Sequence, residues 1–264
     1  MKLLVLPGDG VGTEVTEQGL RMLDWFARHR GLSLDITHRY FGMENWRRHG
    51  TMMPDETWAQ IQDADAILFG ATGSLDQAAA VPPEERRKGS LLRMRGALDL
   101  FANLRPVKMP AALAEASPYK PRITEGVDLI FIRELTAGIY FGEPRGVETL
   151  EDGTRRGINT HSYTEAQITR AARFAFDLAR TRRMHVTSVD KANVMEAGAL
   201  WRQVVGALHA REYPDVTLEH MLADNCAMQL ARNPRRFDVI VTDNLFGDLL
   251  SDAAGAIIGS LGML

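Results

Sequence analysis

The sequence has few features of a secreted, membrane-bound or nucleic-acid-binding protein. Its 264 residues include one cysteine, Cys226, which excludes a disulfide framework and a zinc site built from several thiolates. No apolar run approaches the roughly 20 residues of a membrane span. The 31 Lys and Arg residues are balanced by 34 Asp and Glu, whereas nucleic-acid binders usually carry a basic excess. We therefore expect a cytoplasmic protein that binds neither membranes nor nucleic acids.

The apolar residues of the chain form an alternating pattern. Short apolar runs that are typical of buried strands occur at 3–6, 66–69, 129–132, 186–189 and 239–241. Amphipathic stretches such as 13–28 and 193–210 lie between them and predict helices. Ser162 and Glu165 have the spacing of a capping box, which predicts a helix start there. The alternation of strands and helices predicts an α/β architecture.

Three further stretches depart from this pattern. Residues 71–89 contain glycine, prolines and mixed charges, which predicts a long surface loop near a strand end, a common place for functional residues. Residues 142–159 are rich in glycine and charge, which predicts an extended arm. Residues 257–264 are apolar and spaced by glycines, like a core element that is interrupted. We therefore expect a truncated chain.

The carboxylates near the end of the chain are candidates for metal ligands. Asp248 and Asp252 are four residues apart, so on a helix they project from one face with Cβ atoms roughly 5–6 Å apart. Their mutual repulsion would be offset by a hard divalent cation such as Mg²⁺ or Mn²⁺. Asp224 is a candidate third ligand. The alternative is a solvated acidic face, but apolar residues flank the pair.

Several cations and one phenol are candidates for binding substrate and moving protons. Arg133 ends a buried run, where a guanidinium is costly unless it meets an anion. With Arg95 and Arg105 it could bind a substrate that has two carboxylates, although each of the three could instead form a surface ion pair. Lys191 beside a metal could act as a general base, and Tyr140 could donate its phenolic proton. Structural roles are the alternative for both.

Two other features have structural interpretations. The segment 8–12 holds three glycines between a strand and a helix, but its spacing is wrong for a dinucleotide-binding fingerprint. A tight glycine turn is therefore the favoured interpretation. Cys226 has no clear base assigned to it, so we expect a small buried hydrophobic side chain rather than a nucleophile.

Five ordered segments resemble the β-decarboxylating dehydrogenases, the isocitrate/isopropylmalate dehydrogenase superfamily, and most closely its isopropylmalate branch. The five segments are 6–12, 99–106, 133–144, 186–194 and 242–252. The resemblance implies an α/β fold of two domains, with mixed sheets flanked by helices. It implies a cofactor-side domain of residues 1–99 and 254–264, incomplete at its C-terminus. Residues 100–253 would form a central domain for substrate, metal and dimerisation, with its arm near 142–159.

The resemblance also implies a reaction, in which a 2-hydroxy-dicarboxylate is oxidised by NAD⁺ and loses its β-carboxylate. The expected substrate is 3-isopropylmalate, which would place the protein in leucine biosynthesis. Arg95, Arg105 and Arg133 would bind the substrate carboxylates, and Leu91 and Leu92 its branched group. Asp248 and Asp252, with Asp224 from the second subunit of a homodimer, would hold Mg²⁺ or Mn²⁺. Tyr140 and Lys191 would be catalytic, Lys191 also acting from the second subunit. The expected cofactor-binding residues are Ala71, Thr72, Gly73, Ser74, Lys88 and Asn193.

Departures from the family pattern leave two alternatives. Lys88 stands where the isopropylmalate enzymes typically have a glutamate, which favours a relative that acts on D-malate or tartrate. The early end of the chain favours a catalytically silent homologue that retains only dimer formation.

Overall fold

The chain forms two α/β units, Met1–Leu98 and Asp99–Leu264. A computed structural model describes residues 1–73, 81–260 and 262. All five apolar runs that were predicted from the sequence lie on strands, and both amphipathic stretches form helices, the second of which begins only at Glu196. The predicted α/β architecture is therefore confirmed. Within the described residues, no helix is both long and apolar enough to cross a membrane.

The first unit is built on a three-stranded parallel sheet. Its strands are β1 (Lys2–Gly8), β2 (Asp35–His38) and β3 (Ala66–Ala71), in the order β2-β1-β3. Its helices are α1 (Gly12–Arg30), α2 (Met43–His49), α3 (Asp55–Asp63), α4 (Pro83–Lys88) and α5 (Leu91–Ala97). Residues 83–88 are thus helical, although the sequence predicted a loop throughout 71–89.

Two glycines allow close backbone contacts where β1 leads into α1. A Cβ atom on Gly8 would lie 1.8 Å from the carbonyl oxygen of Ala71, and Gly8 has a φ of +74°. A Cβ atom on Gly12 would lie 2.0 Å from the carbonyl oxygen of Pro7. Only glycine fits at such distances, so the prediction of a tight glycine turn is confirmed.

The second unit contains a five-stranded mixed sheet and a separate two-stranded antiparallel sheet. The strands of the second unit are β4 (Ala102–Lys108), β5 (Asp128–Glu134), β6 (Gly142–Thr149), β7 (Arg155–Thr160), β8 (His185–Asp190), β9 (Thr217–Leu222) and β10 (Val239–Thr242). The large sheet has the order β4-β5-β10-β8-β9, with only the β4–β5 pair antiparallel. The arm predicted at 142–159 is the largely exposed β6–β7 pair.

Helices cover both faces of the large sheet, which explains why its three central strands, β5, β10 and β8, contain the predicted apolar runs. The helices of this unit are α6 (Pro121–Thr124), α7 (Glu165–Arg180), α8 (Glu196–Glu212), α9 (Ala223–Arg232) and α10 (Asn244–Gly255). Ile130 and Ile132 of β5 belong to a core cluster with residues of α7 and α8. Leu129 and Phe131 belong to a second cluster with residues of α9 and α10. Successive side chains of β5 thus enter opposite cores.

The capping box at the start of α7 lies two residues later than the sequence predicted. Thr164 is the N-cap: its hydroxyl accepts a hydrogen bond from the backbone N–H of Gln167 at 3.3 Å. The side-chain oxygen of Gln167 accepts one from the N–H of Thr164 at 2.9 Å. The box predicted at Ser162 and Glu165 was wrong: the carbonyl oxygen of Ser162 accepts a hydrogen bond from the backbone N–H of Gly138 at 3.1 Å, so it does not accept the first bond of the helix.

Residues 254–258 pack within the second unit. Ala254, Ile257 and Ile258 are almost fully buried in the cluster that includes α9 and α10. The sequence-based division had placed these residues in the first domain, but their apolar side chains complete the core beneath α10. The division into a cofactor-side domain and a dimer-forming domain stays a prediction.

Candidate active site

The predicted site residues of the second unit lie at one edge of its large sheet. Strands β5, β10, β8 and β9 are parallel neighbours, so their carboxyl ends meet at the same edge. Arg133 lies near the end of β5, and Lys191 directly follows β8. Asp224 lies in the first turn of the helix after β9, and Asp248 lies on the helix after β10. Ligand-binding residues of α/β sheets commonly collect at this edge.

Arg133 is an almost fully buried charged group at this edge. Its side chain is only 2% exposed, and its Nη1 donates a hydrogen bond to Oδ1 of Asp248. Its Nε and Nη2 donate to Oδ1 of Asn244 at 3.0 and 2.7 Å. Burial lowers the pKa of the guanidinium, the carboxylate of Asp248 opposes this shift, and the nearby Arg105 adds to it. Arg133 stays charged because a guanidinium group is not deprotonated in proteins.

Arg105 brings the two carboxylates of α10 together. Its Nη1 donates to Oδ1 of Asp252 and, at 2.9 Å, to the hydroxyl of Ser251. Its Nη2 lies 3.6 Å from Oδ1 of Asp248. Asp248 and Asp252 therefore turn an oxygen each towards one cation, which offsets the repulsion expected from their spacing. Carboxylate oxygens are also the ligands that Mg²⁺ and Mn²⁺ prefer, so the residues present fit such an ion.

Tyr140 completes this group of side chains. Its hydroxyl donates a hydrogen bond to Oδ2 of Asp248 at 2.7 Å. The guanidinium of Arg133 lies 5.4 Å from the centre of the Tyr140 ring. The fold thus brings together two guanidinium groups, two carboxylates and one phenol, all predicted as site residues from the sequence.

Lys191 and Asp224 form a separate pair. The Nζ atom of Lys191 lies 2.8 Å from Oδ1 of Asp224, and this ammonium lowers the pKa of the carboxyl group. The side chain of Asp224 is 68% exposed. Within residues 1–73, 81–260 and 262, no three His, Cys, Asp or Glu side chains lie close enough together to hold a metal ion. Asp224 therefore does not complete a site with Asp248 and Asp252 inside one subunit.

The remaining predicted residues lie elsewhere in the chain. Leu91, Leu92 and Arg95 are half-buried residues of α5 in the first unit, and Lys88 ends α4. Ala71 ends β3, Thr72 and Gly73 follow it, and Ser74 lies outside the described residues. Asn193 is exposed in the turn after β8.

Asp9 is a residue of the first unit that the sequence analysis did not single out. Its carboxylate accepts hydrogen bonds from the backbone N–H of Gly73 at 2.7 Å and of Glu44 at 2.8 Å. Its own N–H donates to the carbonyl oxygen of Ala71 at 2.8 Å. Asp9 thus holds the segment 71–73 that was predicted to bind the cofactor. Its place in a glycine turn was visible in the sequence, but its hydrogen-bond partners could be identified only from the fold.

Glu85 is a second residue of the first unit that the sequence analysis did not single out. Its carboxylate accepts hydrogen bonds from Lys88 at 2.6 Å, from the Thr51 hydroxyl at 2.8 Å and from the Met52 N–H at 3.0 Å. These donors, with Lys88 the strongest, lower its pKa to about 2. The pairing raises the pKa of Lys88 and ties α4, which carries this specificity candidate, to residues 51–52.

These features define a class of protein: an α/β enzyme with ionisable side chains gathered at the carboxyl edge of a mainly parallel sheet. Comparison with known proteins narrows the class. The family model for isocitrate/isopropylmalate dehydrogenase matches residues 2–264. The chain belongs to this family.

Individual relatives agree with the family match. The chain is 55% identical over 264 residues to a 3-isopropylmalate dehydrogenase of Gluconobacter oxydans, covering all of this chain and 71% of the relative. It is 53% identical to 3-isopropylmalate dehydrogenase 1 of Bradyrhizobium diazoefficiens, covering 98% of this chain and 68% of the relative. The crystal structure of isocitrate dehydrogenase from Methylococcus capsulatus superimposes with a TM-score of 0.83 at 30% identity, over 99% of this chain and 72% of that one.

Proposed function

We propose that the chain carries out the metal-dependent oxidative decarboxylation of a 2-hydroxy-dicarboxylate by NAD⁺, with 3-isopropylmalate of leucine biosynthesis as its substrate. One observation carries the proposal: Arg105, Arg133 and Tyr140 all converge on the carboxylate pair Asp248 and Asp252. The names of the relatives, 3-isopropylmalate dehydrogenase, support this choice of substrate.

The arginines would bind the two substrate carboxylates. Guanidinium groups pair bidentately with carboxylates, and burial strengthens such a pair because less water screens it. Arg133 is already desolvated and held in place, so little ordering is needed when the substrate arrives. Arg95 would contribute a third guanidinium. Leu91 and Leu92 would contact the branched apolar group of the substrate.

Asp248 and Asp252, with Asp224 of the partner subunit, would hold Mg²⁺ or Mn²⁺, a Lewis acid that polarises the substrate hydroxyl and stabilises the enolate oxygen. Lys191 of the partner subunit, acting as a neutral amine, would take up the hydroxyl proton, and bound NAD⁺ would supply the acceptor for the hydride from C2. Loss of CO₂ leaves the electron pair in an enolate. Tyr140 would then deliver its phenolic proton to the enol carbon.

We propose a homodimer with shared active sites. Lys191 and Asp224 form an ion pair that is separate from Asp248 and Asp252. This separation is expected if Lys191 and Asp224 complete the active site of another subunit. Large apolar side chains near both groups are exposed: Val194 by 72%, Met228 by 45% and Leu249 by 61%. Burial of these side chains would favour association.

A smaller substrate such as D-malate or tartrate is the second candidate. Lys88, which favours it, is half exposed and held by Glu85, so its ammonium group is fixed at the end of α4. A cation at this position would suit a polar substrate or cofactor group better than an isopropyl group.

The test is NADH formation with Mg²⁺ or Mn²⁺, offering isopropylmalate, D-malate, tartrate and isocitrate side by side. Selectivity for isopropylmalate would support the proposal, and preference for a smaller acid would support the alternative. The absence of NADH formation with all four substrates would favour a non-catalytic homologue. Asp248→Asn should abolish activity. Asp215→Asn, which removes an exposed partner of Arg180, is the matched control and should stay active. Unchanged turnover in Asp248→Asn would contradict the metal assignment.

A further inference from the structure

Asn244 is a buried amide whose side chain connects two parts of the candidate site. Only 1% of the residue is exposed. Its Oδ1 accepts both the Nε–H and an Nη2–H of Arg133, at 3.0 and 2.7 Å. Its Nδ2 donates to the carbonyl oxygen of Ala137 at 3.0 Å. The orientation of the amide is unambiguous, because only the oxygen can face the guanidinium and only the nitrogen can face a carbonyl.

The backbones of Asn244 and Ala137, which this hydrogen bond joins, are each held by a further hydrogen bond. The backbone N–H of Asn244 donates to the hydroxyl of Tyr163 at 2.8 Å. The backbone N–H of Ala137 donates to the fully buried carboxylate of Glu134 at 3.0 Å. Tyr140 lies three residues after Ala137, in the same short turn. Asn244 therefore links the guanidinium of Arg133 to the turn that carries the phenol.

The chemistry of this position requires an amide. A neutral oxygen occupies two donors of Arg133 without neutralising its charge, which leaves Nη1 for Asp248 or an incoming carboxylate. A carboxylate would pair with Arg133 and compete with the substrate. It would also repel the carbonyl oxygen of Ala137, because it has no proton to donate.

We propose that Asn244 is a positioning residue: it holds Arg133 oriented and charged for a substrate carboxylate and fixes it relative to Tyr140. The inference rests on the proposed function, since it concerns the binding of an acidic substrate by Arg133.

The test compares Asn244→Asp with Asn233→Asp, which makes the same change at an exposed amide of the same unit. Steady-state kinetics with NAD⁺ and Mg²⁺ give KM and kcat, and calorimetry gives the Kd for the dicarboxylate. Loss of a charge-assisted contact predicts a rise of roughly 10- to 100-fold in KM and Kd for Asn244→Asp, with a much smaller change in kcat. Asn233→Asp should match the wild type. If the wild type has no activity, the proposed function and this inference are overturned together. If the wild type is active and Asn244→Asp has the same KM and Kd, the inference alone is overturned.

A second background separates positioning from a purely structural role. Arg133→Lys removes the fork that Asn244 holds, so adding Asn244→Asp there should raise KM by less than about threefold. If Asn244→Asp raised KM equally in the wild-type and Arg133→Lys backgrounds, or lowered kcat alone, Asn244 would act only through the stability of the protein. Asn244→Ser keeps an acceptor on a shorter side chain and serves if Asn244→Asp does not fold. It should raise KM in the same direction, and a wild-type KM would overturn the proposal.

Discussion

Gly247 of α10 lies against the stem of Arg133, so a single added methyl group should disturb the candidate site. A Cβ atom at this position would lie 2.5 Å from Cγ and 2.7 Å from Cβ of Arg133. Ordinary van der Waals contact begins at 3.4 Å, so the overlap approaches 1 Å. Arg133 cannot move away freely, because Asn244 and Asp248 hold its guanidinium. Gly247→Ala should therefore displace either Arg133 or α10.

The expected free-energy change combines two opposing effects. Overpacking of a buried site typically costs about 1–3 kcal/mol. Replacing glycine by alanine within a helix contributes about 1 kcal/mol of stability. The net loss for Gly247→Ala is therefore about 0–2 kcal/mol. The displaced guanidinium should also raise KM, because Arg133 would no longer meet the substrate carboxylate.

Gly206 of α8 supplies a matched control in the same unit. A Cβ atom there would lie 3.6 Å from Nε2 of His220, an ordinary contact distance. Gly206→Ala should therefore gain helix stability without a clash. Urea unfolding should find Gly206→Ala more stable than Gly247→Ala by about 1–3 kcal/mol, or roughly 2–12 °C in Tm. Equal stability and unchanged KM in both variants would refute the reasoning, since it requires the clash with Arg133.

Three further predictions concern other residues. Lys191→Met should stop hydride transfer, measured as NADH formation, yet leave the mass in solution unchanged; a change of oligomeric state would show that the lysine is structural. The pKa of Glu85 is lowered to about 2, so its bonds stabilise the fold fully above its ordinary pKa of 4.5 and are lost as the pH falls towards 2. Tm measured against pH should therefore decline more steeply in that range for the wild type than for Glu85→Gln; parallel profiles would contradict the assignment. Burial raises the pKa of the Cys226 thiol to about 12, so a thiol reagent should label it only as urea unfolds the protein. Rapid labelling of the native chain would contradict its buried position.

The sequence alone predicted most of the elements and named the candidate site residues. The apolar runs became strands because burial on both faces of a sheet requires continuous apolar residues. The spacing of Asp248 and Asp252 placed both on one face of a helix, as expected from helical geometry. Arg105, Arg133 and Tyr140 were predicted from residue type and motif, and all three contact these carboxylates.

Local pattern alone misplaced features that depend on distant contacts. The capping box at Thr164 could not be distinguished from one at Ser162, because the choice depends on a distant contact, the hydrogen bond from the backbone N–H of Gly138 to the carbonyl oxygen of Ser162. The family resemblance assigned residues 254–258 to the first domain, and their apolar character alone does not reveal that they enter a core of the second unit. Residues 83–88 form a helix within a stretch whose prolines and glycines indicated a loop.

Only the tertiary structure decided how the site residues are held. Asn244 and Asp9 are small polar residues with no pattern that marks a role, and their bonds reach across 111 and 64 residues of sequence. Within each unit, the parallel strands bring distant residues to the carboxyl edge of that unit's sheet, where burial makes an unpaired polar group costly. Residue type therefore determined what chemistry was available, and long-range packing determined which donor meets which acceptor.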